Sequence, residues 1–162
     1  MSDTTLTTWP LIFNYRCPVL GNGFMALVSF KGRVLAEQEA GGVWLSGVNP
    51  GGVAGGGCDF PSAQTELGRC VSDVLFDIAA DVESFGAFAH AVEAFFRETD
   101  QAAGALWTAA RTRVRAEGTT GDALGLETQY GAHEAQFEVI EMQVPAQARP
   151  EQNYQPMAAL AA

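Results

Sequence analysis

Lysine is almost missing from this chain. Lys31 is the only one in 162 residues, and Lys and Arg together number nine against 19 Asp and Glu, for a formal net charge of −10. Duplex nucleic acid is held by clustered cations that neutralise phosphates, so direct nucleic-acid binding over a broad face is excluded. Attraction to anionic membrane surfaces is disfavoured for the same reason. Long apolar runs are lacking as well, and no segment reaches the length of a membrane span. The opening MSDTTLTTWP has neither a charged n-region nor an apolar h-region, so no signal peptide is read there. Cysteines are few and odd in number (Cys17, Cys58 and Cys70), and their gaps fit no zinc or redox pattern. A reducing, cytoplasmic setting is expected. Catalytic signatures are also missing: there is no His-x-x-x-His, no Gly-x-Ser-x-Gly and no Cys–His pairing. The two histidines, His90 and His133, read as ordinary surface side chains. No catalytic residue, metal ligand or cofactor is assigned, and the chain is not expected to be an enzyme.

What is present suffices for a core. Hydrophobic residues make up 48% of the chain, and a domain of this size can bury roughly 70% of its unfolded surface without staples. The expected architecture is a single α+β domain over residues 1–144, with residues 1–8 mobile and 145–162 a disordered tail. A short edge strand is expected around Leu11–Tyr15. Gly21-Asn22-Gly23 has turn chemistry. Alternation from Phe24 to Phe30 predicts a strand, Lys31-Gly32 a hairpin turn, Arg33 to Glu39 a return strand, and Val43 to Val48 a third. Connections this short make the meander antiparallel. Asp59 caps an amphipathic helix over 60–80, whose apolar stripe runs Ala63, Leu67, Cys70, Val71, Val74, Leu75 and Ile78. Ser84 and Asp100 cap two further helices, 85–98 with inward phenylalanines and 101–117 with Leu106, Trp107, Ala110 and Val114 inward. Residues 119–134 read as loop, and Gln136–Val144 as a late strand.

Several segments invite a functional reading. The stretch Asn49-Pro-Gly-Gly-Val-Ala-Gly-Gly-Gly57 suggests a phosphate loop, but Cys58-Asp59 stands where such a loop needs Gly-Lys-Ser/Thr. It reads instead as a flexible strand-to-helix connection with positive φ at several positions. The Phe-rich second helix reads as core, with an apolar ligand pocket as the alternative. Arg111 and Arg115 share a solvated helix face near a C-terminus, where cations suit the dipole. Asp73, Asp77 and Asp81 repeat every four residues, which sets like charges against each other on one helix face. A basic partner, or solubility, would offset that cost.

The order of three short strands, a Pro-Gly loop and an amphipathic helix over about 24–82 resembles the HicB-like antitoxin family. The residues that carry the likeness are Val43-Trp44-Leu45, Asn49-Pro50-Gly51-Gly52 and Asp59-Phe60-Pro61-Ser62-Ala63. The chain departs from the family's Asp-Leu-Pro-Gly-Cys loop, since Gly52 or Val53 falls where Cys is usual. It also shows no appended DNA-binding motif. The resemblance implies a meander sheet packed on one helix, binding to a small basic toxin-like protein, and masking of that partner's RNase site. On this reading Glu37, Glu39, Trp44, Asp73 and Asp77 are the expected partner contacts, drawn from a solvated strand face and the acidic helix stripe. Two other readings stay open: a small-molecule binder or enzyme with a cleft between the sheet and the Phe-rich helices, and an acidic inhibitor of a nucleic-acid-binding protein. An exposed edge strand would also permit a homo-oligomer.

Overall fold

The computed structural model describes residues 6–119, 124–131, 133–143 and 157–162. Its frame is one long antiparallel hairpin. Strand β1 (Thr7–Leu20) pairs with β2 (Met25–Glu39) without interruption from Thr7↔Gln38 to Leu20↔Met25. Trp9, Leu11, Phe13, Tyr15, Cys17 and Val19 on β1, and Ala26, Val28, Phe30, Val34 and Ala36 on β2, line one face, as the twofold period of a strand requires. The turn closes at Gly21–Phe24, with Gly23 at φ +80°.

The far edge of β2 is shared. Strand β3 (Gly42–Asn49) pairs with its second half from Arg33 to Glu39, and β6 (Gln136–Met142) pairs with its first half from Met25 to Lys31. Beyond β3 lies β4 (Ala54–Gly57). On the other side of β1 sits β7 (Met157–Ala161), followed by the short parallel β5 (Thr128–Gln129). The path through the sheet is therefore β4-β3-β2-β1-β7-β5, with β6 attached to β2.

Helices cover both faces. Helix α1 (Phe60–Asp81) starts where the Asp59 carboxylate accepts the Ser62 amide at 2.9 Å, and it buries Ala63, Leu67, Val71, Leu75 and Ala79 on the first face. Helix α2 (Phe85–Arg97) is capped by Ser84 and adds Phe88, Val92 and Phe96 to the same core. Helix α3 (Gln101–Glu117) crosses the second face. There Ala103 and Trp107 pack with Ile12, Leu35, Val48 and Ala161, and the Trp107 indole N–H donates to the Leu11 carbonyl at 3.0 Å. Gly118, at φ +62°, ends α3 in the left-handed conformation that glycine takes at least cost.

The α+β class, the meander and all three helices agree with expectation, and several details differ. The strand at Leu11–Tyr15 is the middle of a 14-residue strand and is interior there, because β7 covers Leu11–Asn14. Pro10 and Pro18 fall outside that covered stretch, where among the described residues no strand pairs with β1 on that side and the missing N–H is tolerated. Lys31-Gly32 is not a turn: β2 runs straight through it. A Cβ at Gly32 would stand 2.1 Å from the Asn49 carbonyl oxygen, so the glycine permits close approach at the point where β3 gives way to β6. The C-terminal segment is not pattern-free throughout. Met157–Ala161 is a strand, with Leu160 and Ala161 fully buried, while 145–156 and 1–5 lie outside the described residues. Leu106 points outward at 51% exposure, because the buried stripe of α3 is Ala103, Trp107, Ala110 and Val114. His133 is buried at 9% exposure, its Nε2 lying 3.3 Å from the Ala162 carbonyl oxygen under the last strand.

Candidate functional site

The glycine-rich stretch builds the most developed surface feature. Its second half is a strand, not a flexible loop: Gly55, Gly56 and Gly57 are extended in β4, residues 50–53 connect it to β3, and within the stretch only Gly52 has a positive φ, at +73°. Each of the three makes room for a different neighbour. A Cβ on Gly55 would meet the Leu67 amide at 2.3 Å, and one on Gly57 the Ala63 amide at 2.6 Å, so α1 lies directly on the strand backbone. A Cβ on Gly56 would meet Trp44 Cε3 at 2.5 Å, so the indole lies over that glycine on the opposite face.

Trp44 therefore stands on a bare strand. Its neighbours Val43 and Leu45 turn into the α1 core at 7% and 1% exposure, while Trp44 itself is on the second face, outside the cluster that α3 packs on, and 51% exposed. The β3–β2 register sets Glu37 directly opposite Trp44, and Gly56 flanks it on the other side. Glu37, Glu39, Trp44 and Glu66, with the backbone of Gly42 and of β4, line an open groove of about 740 Å³. No Lys, Arg or His lines it. Glu66 reaches it from α1, and Arg69 donates to Glu66 at 2.5 Å and to Asp73 at 3.0 Å. The Arg69 guanidinium holds the Glu66 carboxyl below the usual carboxylate range. Asp59 is likewise lowered, by hydrogen bonds from Ser62.

Of the expected contact residues, Glu37, Glu39 and Trp44 come together here. Asp73 and Asp77 do not: they are exposed on α1, beyond the groove lining. Glu66 and Gly56 belong to the groove and were not expected in it. Their periodicities place Glu66 on a polar helix face and Gly56 in a loop, and only the register across β2, β3 and β4 assembles them.

The Phe-rich helix packs as solid core. Phe88 and Phe96 are buried against Phe24 and Phe30 at ring separations of 5.2 and 5.4 Å, and Phe137 closes on Phe96 at 5.2 Å. Arg111 is not simply solvated: its guanidinium lies over Trp107 and donates to the Gly131 carbonyl at 2.5 Å. Arg113 lies over Trp9 and donates to the Thr8 carbonyl. A second hollow of about 390 Å³, lined by Asn14, Arg16, Ser29, Lys31 and Glu138 among others, is smaller and mixed in charge. Among the described residues, no group of three His, Cys, Asp or Glu side chains is placed to hold a metal ion. No helix among them is long and apolar enough to cross a membrane.

No protein-family model, curated protein or solved structure matches this chain.

Proposed function

We propose that the protein is a binding module for a small basic protein, received at the Trp44 groove. The observation that carries this reading is a groove that holds a half-exposed tryptophan, Glu37 and Glu39 on one side of β4 and Glu66 on the other, with no cation in the lining. An exposed indole offers both apolar area and a cation-attracting face, and tryptophan and arginine are the residues that most often dominate protein interfaces. The surrounding carboxylates select arginine- and lysine-rich surfaces, and the net charge of −10 speeds their arrival at low salt. Asp73 and Asp77 extend this negative field along α1 and act in steering rather than in the groove.

Within that class, the HicB-like resemblance favours an antitoxin that masks the RNase site of its partner by steric cover and charge complementarity. An acidic inhibitor of a nucleic-acid-binding protein would use the same surface and differ only in partner. The small-molecule reading is disfavoured, because the space between the sheet and α2 is filled by closely packed phenylalanines.

The test is capture of partners from source-cell lysate with a salt-stepped wash, followed by titration of the purified companion at two ionic strengths. A stoichiometric basic protein is expected, with binding weakened at higher salt. Trp44→Ala is expected to cost about 2 kcal/mol or more in affinity, as hot-spot truncations do. Asp73→Lys with Asp77→Lys should slow association and flatten the salt dependence. If Trp44→Ala and Glu37→Gln leave the affinity unchanged, the groove is not the contact surface. If the companion is a nuclease, its activity with and without this protein tests the antitoxin form.

A further inference from the structure

The groove does not end at Trp44. It continues to the outer edge of β4, the last strand of the sheet on that side, and all four β4 residues line it. Sheet edges are normally guarded by lysine, proline, bulges or covering elements, because their unpaired N–H and C=O groups template a further strand. This edge has none of those side chains: it reads Ala54-Gly55-Gly56-Gly57. Helix α1 occupies the face of β4 at Gly55 and Gly57, and Trp44 occupies the other face at Gly56. The edge itself has no strand beside it among the described residues.

Resting on the binding-module reading above, we propose that the partner engages through an extended basic segment that adds to β4 as a new edge strand. Backbone pairing to β4 would supply affinity, and alternate side chains would fall to the two sides of the sheet. On one side they meet the Trp44 indole with Glu37 and Glu39, and on the other Glu66. Arginine suits this arrangement best, since it stacks on an indole and pairs with carboxylates at once.

The test uses the full chain and a synthetic probe, a seven-residue acetylated and amidated peptide alternating Arg and Thr, titrated at low salt. Two analogues carry N-methyl groups, one on every arginine amide and one on every threonine amide. A strand pairs along one of its edges only, so one analogue should bind like the parent and the other should lose roughly tenfold or more. Trp44→Ala should weaken the parent peptide. Equal behaviour of the two analogues, whether both bind or both fail, overturns strand addition but leaves the basic-partner reading standing provided the parent peptide binds. Failure of the parent peptide to bind at all overturns strand addition, while the basic-partner reading then stands or falls on the capture experiment above.

Discussion

At the scale of single residues, the three glycines of β4 separate two kinds of close approach. At Gly55 the neighbour is the backbone of α1, which cannot move aside, so Gly55→Ala is expected to destabilise by about 1–3 kcal/mol, as overpacking does. At Gly56 the neighbour is the rim of an exposed indole, so Gly56→Ala should fold normally while turning Trp44 away. Denaturant unfolding reads the first effect, and acrylamide quenching the second, because Trp9 and Trp107 are buried and Trp44 is the accessible fluorophore. Equal stability loss at both positions would contradict this division. The same logic explains the missed groove: a glycine states only that a side chain is unwelcome, not which neighbour excludes it. Gly-rich sequence therefore reads as loop until the strand and the helix beside it are known.

At the scale of elements, the helices were legible because each carries its own start signal and stripe. Asp59, Ser84 and Asp100 accept the amides of Ser62, Ala87 and Ala103, and the buried positions follow the helical period. Asp59→Ala is expected to lower stability through loss of the cap, read as a lowered denaturation midpoint with unchanged slope. Strand pairing was less legible, because it depends on contacts distant in sequence. The Lys31-Gly32 dipeptide has turn chemistry locally, yet 15 residues run through it as one strand, held by β1 on one side and by β3 and β6 in succession on the other. Strand β7 carries only small and apolar residues, with no turn signal or alternation to mark it. Its strand character comes from its slot between β1 and β5.

At the scale of the whole molecule, the last strand is tied down from several elements. Leu160 donates its amide to Glu127 and Ala162 to Gln129, while His133 and Arg115 reach the Ala162 carbonyl. Burial holds the His133 imidazole below its ordinary value, and Arg111 and Lys31 push the same way against the opposing hydrogen bond to Ala162. A histidine depressed in the folded state binds its proton more readily when unfolded. Its contribution is therefore complete above about pH 6.5 and is lost as the pH falls from there through the folded-state value. Melting temperature should drop on acidification below pH 6.5, and His133→Gln should remove that part of the drop; an unchanged pH profile in the variant would refute it. The place of β7 also bears on how the sheet is assembled. The strand that covers Leu11–Asn14 lies more than 140 positions away along the chain. Until that distant segment docks, β1 presents an unpaired edge beside Leu11 and Phe13, so a partly folded chain carries there an edge open to other strands.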